Sequence, residues 1–257
     1  MLQADKIDIN KQNKKGDTAL HIAAENGNIE RMELLLSQKD VDVNVLDNDG
    51  QTPLYMAASN GNTECVELLL AHPSINLNLV YTNDYQPIHL AAAGGLTHVL
   101  KEPVKHSSIY VNVRDNNLFT PLLYAARNGK TECVELLLPM LGIDVNAQVS
   151  DGEFEGYSAL HFAVLTGNTE CVRLLLAVPD INVNVQCRYS SSAGLTPLHL
   201  ALREDHPECV KLLLTHLGIN VNIQDNKGDT PLALAESSSI PNKQELIDLL
   251  NRHGATE

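Results

Sequence analysis

Residues 120–138 read TPLLYAARNGKTECVELLL, and variants of this stretch recur along the whole chain. Its opening tetrapeptide, with small substitutions, begins seven times, at Thr18, Thr52, Gln86, Thr120, Ser158, Thr196 and Thr230. The intervals between these positions are 34, 34, 34, 38, 38 and 34 residues. A fixed period of this length is typical of a solenoid, in which each unit buries its apolar face only against its neighbours.

Each unit carries local signals for two short helices. Thr or Ser at the start of the tetrapeptide supplies an N-cap oxygen, and Pro at the next position is preorganised for the first helical turn. Two small residues, as in Ala57 and Ala58, allow a neighbouring helix to approach closely. A turn at Gly61 leads into a second apolar run, residues 63–70, and the unit closes on Val-Asn or Leu-Asn. Each repeat is therefore predicted to consist of a loop, called a finger below, then an inner helix and an outer helix.

This pattern resembles the ankyrin repeat, whose hallmark is T-P-L-H-x-A. The resemblance implies an all-α ankyrin-repeat solenoid of stacked helix pairs with β-hairpin-like fingers. It also implies that the His at the fourth place of the tetrapeptide ties its helix to an adjacent finger. We expect a single domain over residues 1–257, with residues 1–9 as the remnant of a repeat. The seven repeats then cover approximately 10–43, 44–77, 78–111, 112–145, 146–183, 184–221 and 222–257.

The charge of the chain limits the classes of partner. Its 257 residues include 18 Lys and Arg against 32 Asp and Glu, which gives a net charge of −14. Nucleic acids and anionic membranes need clustered positive charge, so we expect neither as a partner. The chain has no apolar run long enough to span a membrane, and its N-terminus does not resemble a signal peptide. We expect a cytoplasmic protein; export to a host cytosol by a route without such a signal stays open.

The sequence lacks the motifs that mark common enzyme sites, such as a phosphate-binding GxxxxGK[ST], a GxSxG elbow or an HExxH pair. The histidines His21, His89, His161 and His199 all hold the fourth place of the tetrapeptide, which indicates a structural role. Four of the five cysteines share one outer-helix position and are expected to be buried thiols, whereas Cys187 lies in a finger and is a candidate for exposure. No two cysteines have the spacing of a zinc pair. We expect no catalytic residue, no cofactor and no metal.

Differences between the repeats predict where a partner binds. The fingers of repeats five and six, 147–157 and 185–195, each carry four extra residues. Most of the few aromatic residues lie in fingers three to six, and exposed rings and Arg side chains commonly anchor protein interfaces. Neutral variation of the loops and packing of the rings on neighbouring fingers are the alternatives. The candidate partner-binding residues are Tyr81, Tyr85, Arg114, Phe119, Arg127, Phe154, Tyr157, Arg188, Tyr189 and Arg203.

The outer helix of repeat three departs from the pattern. Residues 99–104 read VLKEPV where the neighbouring repeats have CVELLL. Pro103 removes a helical N–H and clashes with the carbonyl four residues earlier. We therefore expect this helix to end before Pro103 and the segment 103–108 to be irregular.

Two classes of function fit the sequence. The first is a non-enzymatic interaction module that binds a protein partner on its concave finger and inner-helix face, as an adaptor, an inhibitor or a recruiting effector. The second is an enzyme with an unrecognised site, or a regulatory subunit that contributes residues to another protein's active site. The missing enzyme motifs favour the first class, and we expect a monomer that binds an unidentified protein.

Overall fold

A computed structural model describes residues 8–101, 111–188, 193–238 and 242–256. Within these ranges the chain forms fourteen α-helices, which follow one another as inner and outer members of seven pairs. The inner helices are α1 (Ala19–Glu25), α3 (Pro53–Ser59), α5 (Pro87–Gly94), α7 (Pro121–Arg127), α9 (Ala159–Leu165), α11 (Pro197–Arg203) and α13 (Pro231–Ser237). The outer helices are α2 (Ile29–Leu36), α4 (Thr63–Leu70), α6 (Thr97–Lys101), α8 (Thr131–Leu137), α10 (Thr169–Leu176), α12 (Pro207–Leu214) and α14 (Lys243–Arg252).

The remaining regular structure in these ranges is small. A short 3₁₀ turn covers Thr82–Asp84, and a single antiparallel bridge joins Gln148 to Ser158. The expected all-α fold of helix pairs with short fingers is therefore confirmed. Among the described residues, no helix combines the length and apolar character that crossing a bilayer requires.

The tetrapeptide sets the start of every inner helix. At six of the seven starts, the Thr or Ser side chain accepts a hydrogen bond from the third helical N–H, which would otherwise have no partner in the helix. At the seventh start, the third helical N–H, that of His89, donates to the Gln86 carbonyl over 2.9 Å. The Gln86 N–H donates to Nδ1 of His89 over 3.1 Å. Because these signals are local, the sequence predicts the helix starts correctly.

The chain divides into two compact units, Met1–Tyr110 and Val111–Glu257. In the first unit, α1, α3 and α5 pack in sequence as one row and α2, α4 and α6 as another. In the second unit, the same two rows are formed by the odd-numbered helices from α7 to α13 and the even-numbered helices from α8 to α14. Whether residues 1–257 behave as a single domain stays a prediction.

Small residues and leucines fill the space between the rows. The first Ala of the small pair is buried in all seven repeats, at Ala23, Ala57, Ala91, Ala125, Ala163, Ala201 and Ala235. In the outer helices, apolar side chains such as Val134 and Leu137 have no exposed surface. Close packing of this kind stabilises each helix pair only when its neighbours are present.

An Asn side chain at the end of most repeats links successive repeats by hydrogen bonds. In the first unit, Nδ2 of Asn44 donates to the Ser74 carbonyl over 2.7 Å, and Oδ1 of Asn44 accepts the Asn76 N–H over 2.9 Å. These side chains are called the asparagine ladder below. Its members are Asn10, Asn44, Asn112, Asn146, Asn184 and Asn222. The sequence shows the Val-Asn pattern, but the partners of the Asn side chain are visible only in the structure.

All five cysteines are buried free thiols. Burial raises the pKa of Cys133 and of Cys209 to about 11, so both stay protonated at neutral pH. The prediction that Cys187 is a candidate for exposure is wrong, since only 2% of this residue is exposed. Its finger closes on itself: the Cys187 N–H donates to the Leu195 carbonyl over 3.0 Å, and the Gly194 N–H donates to the Cys187 carbonyl over 2.8 Å.

Candidate binding surface

Each finger is a loop closed by a backbone hydrogen bond at its base. The Asp115 N–H donates to the Phe119 carbonyl over 3.1 Å in finger four. In the longer finger five, the Val149 N–H donates to the Tyr157 carbonyl over 2.9 Å. The four extra residues therefore extend the loop beyond a base that keeps the same form. Finger five is therefore longer than finger four but attached in the same way.

A buried Asp organises the interior of finger four. One carboxylate oxygen of Asp115 accepts the Asn117 and Phe119 N–H groups over 3.1 and 2.9 Å. The other oxygen accepts the Tyr124 hydroxyl over 2.6 Å. Loss of water and the adjacent negative charge raise the pKa of Tyr124, which therefore stays a hydrogen-bond donor. Finger four is thus fixed to α7, and its backbone has few ways to rearrange.

Side chains also join neighbouring fingers. Nε2 of Gln148 donates to the Gly156 carbonyl within its own finger over 2.5 Å, and Nε2 of Gln186 donates across to the Gln224 carbonyl over 3.0 Å. Arg114 has the same role in repeat four, since its Nη1 donates to the Leu118 and Gln148 carbonyls over 2.6 and 2.9 Å. The guanidinium of Arg114 is therefore engaged in holding fingers four and five together.

The expected exposure of the finger rings is not found at three positions. Tyr81, Phe119 and Tyr157 are only 5%, 3% and 4% exposed. The Tyr81 ring meets the edge of Tyr55 with centroids 5.1 Å apart, and its hydroxyl accepts a hydrogen bond from Thr52 over 3.1 Å. These rings are covered by their own chain: Tyr81 by the preceding repeat, Phe119 by the next repeat and Tyr157 by its own repeat. Because these three rings are buried, the structure does not support direct contact between them and a partner.

In the second unit, the rings of Phe119, Phe154 and Tyr157 form one cluster with Phe162. The sequence analysis did not identify Phe162. Phe162 of α9 has no exposed surface and lies 5.4 Å from Phe119, 5.3 Å from Phe154 and 5.4 Å from Tyr157, between ring centroids. The sequence does contain a signal for Phe162. The residue directly after the tetrapeptide is aromatic in two of the seven repeats, at Tyr124 and Phe162, and aliphatic in the others. The cluster joins fingers four and five to α9.

Arg127, at the end of α7, covers this cluster from the solvent side. Its guanidinium carbon lies 4.7 Å from the centroid of the half-buried Phe154 ring and 5.3 Å from that of Phe119. A guanidinium over a ring is attracted by the negative ring face. Within the described residues, no acceptor is hydrogen-bonded to this guanidinium and no carboxylate pairs with it. Arg127 is exposed.

A cleft of about 430 Å³ opens beside Arg127, between fingers four and five. It combines ring surface with amide and carboxylate groups, and its volume suits one or two side chains of a ligand. Its lining residues are Asn116, Asn117, Leu118, Phe119, Tyr124, Arg127, Val149, Asp151, Gly152, Glu153 and Phe154. The sequence reasoning identified Phe119, Arg127 and Phe154 in this set but not the carboxylates Asp151 and Glu153.

The other candidate residues fall in different surroundings. Tyr85, in the first unit, is half-buried and stacks on His89 with centroids 5.2 Å apart. Arg188 is exposed, and its backbone N–H donates to the Glu155 carbonyl over 2.9 Å. Arg203 is exposed but pairs with its neighbour Glu204 over 2.8 Å. Tyr189 lies outside the described residues.

The fingers approach each other closely where Arg188 meets finger five. Gly156 has a φ of +82°, and a side chain there would lie 2.6 Å from the Arg188 backbone nitrogen. Only Gly is compatible with this conformation and this distance. The contact holds the backbone at Arg188 against the base of finger five.

The tetrapeptide histidines act as bridges between repeats. Nδ1 of His161 accepts the Ser158 N–H over 3.2 Å, and its Nε2 donates to the Leu195 carbonyl of the next finger over 3.2 Å. Burial lowers the pKa of His161 to about 4, which keeps the ring neutral. In the parts of the chain that the structure describes, no group of three or more His, Cys, Asp or Glu side chains could hold a metal ion.

Family models match nearly the whole chain. A model described as ankyrin repeats (3 copies) matches residues 1–81, 74–149 and 160–256, and a second, ankyrin repeats (many copies), matches residues 132–176. The chain belongs to the ankyrin repeat family. Ankyrin repeats are a protein–protein interaction module and are generally non-catalytic. A comparison with curated protein sequences gave no match.

Solved structures of ankyrin repeat domains are similar to this chain. The crystal structure of the ankyrin repeat domain of Bcl-3, described as a unique member of the IkappaB protein family, has a TM-score of 0.72 and 27% sequence identity. That match covers 93% of this chain and all of the other chain. The ankyrin repeat domain of human ASB11 matches with a TM-score of 0.70 and 23% identity, over 94% of this chain and all of the other. The expected family and fold are therefore confirmed.

Proposed function

We propose that this ankyrin repeat protein is a non-enzymatic module that binds a protein partner through its fingers and inner helices. In the second unit, the proposed contact surface consists of Phe154, Arg127 and Arg188, with Arg114 and Arg203 at its margins. In the first unit it includes Tyr85. The module acts as an adaptor, an inhibitor or a recruiting effector in the cytoplasm, and as a monomer.

The observation that carries this proposal is Arg127, which is held over the ring cluster beside an open cleft. An exposed cation over rings is already positioned, so little conformational entropy is lost when a partner covers it. Arg and aromatic residues in such surroundings are the usual hot spots of protein interfaces. The fixed fingers described above supply the rigid support that a contact surface needs.

The acidic balance of the chain adds a preference for the partner. A net charge of −14 favours a partner surface with basic character and repels strongly acidic ones. Exposed charges of this kind mainly raise the association rate, whereas the lifetime of the complex depends on the covered rings and the desolvated pairs. The complex is therefore expected to form more slowly as salt concentration rises.

Affinity capture from a native lysate, followed by calorimetry with the captured partner, tests this proposal. Phe154→Ala and Arg188→Ala should each weaken binding by more than about 1 kcal/mol. Arg173→Gln on α10, and Lys14→Ala or Lys227→Ala in the end fingers, are matched controls that should change affinity little. If the controls abolish binding while the Phe154 and Arg188 variants bind normally, the proposed surface is wrong.

The buried rings have a different expected effect. Phe119→Ala and Tyr157→Ala should lower the free energy of unfolding by about 3–5 kcal/mol, because each removes a ring from a packed cluster. Denaturant unfolding of each variant separates this loss of stability from a loss of binding. A variant of either ring that keeps wild-type stability and loses partner affinity would return that ring to the contact surface.

A further inference from the structure

Arg127 and Arg203 end the inner helices of repeats four and six, but only Arg203 is neutralised within the chain. Arg203 pairs with the adjacent Glu204, whereas the residue after Arg127 is Asn128. Arg127 is the one cationic side chain among the residues that line the cleft between fingers four and five. Both repeats thus carry an Arg at the end of the inner helix, but within the described part of the chain only Arg203 has a carboxylate partner.

The contact of Arg127 with the rings leaves the N–H donors of its guanidinium available to a ligand. The guanidinium carbon of Arg127 lies over both rings, at 4.7 Å from the Phe154 centroid and 5.3 Å from the Phe119 centroid. A cation–π contact uses the charge of the guanidinium and does not occupy its five N–H donors, and no acceptor among the described residues is hydrogen-bonded to them. A planar fork of donors held in this way matches the two oxygens of a carboxylate. Orientation by the rings removes part of the entropy that such a pair costs.

The lining of the cleft also carries negative charge. Asp151 and Glu153 in finger five line the same cleft as Arg127. A phosphate dianion entering the cleft would be repelled by two carboxylates and attracted by a single Arg. A ligand with one carboxylate next to one positive charge suits this lining, since the carboxylate can pair with Arg127 and the cation with Asp151 or Glu153. The cleft volume of about 430 Å³ has room for such a pair of side chains.

We infer that the cleft between fingers four and five binds an extended partner segment in which an Asp or Glu lies beside a Lys or Arg. The carboxylate forms a bidentate pair with Arg127, and the cation faces Asp151 and Glu153. This inference rests on the proposed function, because it names the partner chemistry that the same surface recognises. Phe154 fixes the guanidinium and is a positioning residue for this pair.

A library of random peptides displayed on phage supplies the probe. Peptides selected on the full-length protein, with Arg127→Gln protein as the counter-selection, should share an acidic residue next to a basic one. A selected peptide is then resynthesised with its acidic residue changed to Gln or Asn, and affinities are measured by fluorescence anisotropy. Arg127→Gln should weaken binding of the acidic peptide about tenfold or more and that of the amide peptide less than about twofold, which is a positive coupling.

One further variant separates the charge of Arg127 from the geometry of its guanidinium, and a second is a control at a distant Arg. Arg127→Lys keeps the charge but loses the planar fork, so it should recover only part of the lost affinity. Arg173→Gln removes an exposed Arg that pairs with Glu170 on α10, and it should leave peptide affinity unchanged. Circular dichroism melting of each variant checks that the fold is retained.

The outcomes of the selection are distinct. The inference is overturned if the enriched peptides share no acidic residue, or if their affinity does not respond to Arg127→Gln. The proposed function remains in place in that case if Phe154→Ala or Arg188→Ala abolishes binding of the same peptides. A selection that enriches no peptide above an unrelated control protein, together with a lysate that yields no bound protein, contradicts the proposed function and the inference with it.

Discussion

At the scale of single residues, the tetrapeptide histidine shows how one side chain stabilises two repeats. His161 caps its own helix through Ser158 and reaches the Leu195 carbonyl in the next finger. His21 and His199 make the same contacts, to the Gln51 and Asp229 carbonyls. The His161 ring must be neutral, because its Nδ1 accepts a backbone N–H while its Nε2 donates.

This requirement predicts a pH dependence of stability. Above pH 6.5 the imidazole of His161 is neutral in both the folded and the unfolded state. Below this pH the unfolded chain binds a proton that the folded protein, with a pKa of about 4, does not bind. The unfolded state therefore gains stability as pH falls from 6.5 toward 4. At pH 5 the contribution of His161 should amount to a loss of about 2 kcal/mol in the free energy of unfolding.

His161→Gln tests this expectation by denaturant unfolding between pH 7.5 and 5. The variant should be less stable at pH 7.5, because it loses the two bridging bonds, and its stability should fall by about 2 kcal/mol less than that of the wild type on acidification. His253→Gln, at an exposed position, is the matched control for replacing a His by Gln. Equal slopes for wild type and His161→Gln would contradict a neutral buried ring.

At the scale of elements, the outer helices contribute part of the apolar core of each pair. Leu137 in α8 has no exposed surface, whereas the adjacent Leu136 is only partly buried. Leu137→Ala should lower the free energy of unfolding by about 2–5 kcal/mol, through lost apolar burial and the cavity that remains. Leu136→Ala should cost clearly less. If both substitutions cost the same, the burial pattern of α8 does not determine its stability.

A second prediction concerns α6, the outer helix of repeat three. Its described part covers five residues, Thr97–Lys101, while α4 covers eight. Pro103 lies outside the described residues, so the predicted break there stays a prediction. Hydrogen exchange should find the amides of 99–106 less protected than those of 132–138, because a helix interrupted by Pro lacks backbone bonds. Equal protection in the two segments would contradict the break.

At the scale of the whole molecule, stability depends on coupling between repeats. The asparagine ladder supplies part of this coupling, because each side chain joins the end of one repeat to the end of the next. Asn44→Ala removes two hydrogen bonds between repeats and should lower the free energy of unfolding by about 1–3 kcal/mol.

Asn60 provides the matched control for this experiment. Among the described residues, its side chain donates to the Met56 carbonyl of its own repeat alone, and it is exposed. Asn60→Ala should therefore cost little, and its denaturant transition should stay as steep as that of the wild type. A broader transition in Asn44→Ala alone would indicate weaker coupling between repeats. If Asn60→Ala costs as much as Asn44→Ala, the ladder has no special role.

The sequence by itself determined the helix pairs, the helix starts, the burial of the small residues and of four thiols, and the family. These features follow from rules that act within one repeat, such as capping, the helical spacing of apolar residues and the turn chemistry of Gly. Because the repeats share one sequence pattern, one correct repeat predicts all of them.

Only the tertiary structure decided which finger residues face the solvent. Phe119 is buried because Phe162 and Arg127 cover it, and Arg114 is engaged because the Gln148 carbonyl lies within reach of it. The partners Phe162 and Gln148 lie one repeat away in the sequence, and their distances depend on how each finger leans on its neighbour. A residue's own sequence surroundings do not contain that distance. Exposed Arg127 and buried Phe119 could therefore be told apart only after the repeats were stacked.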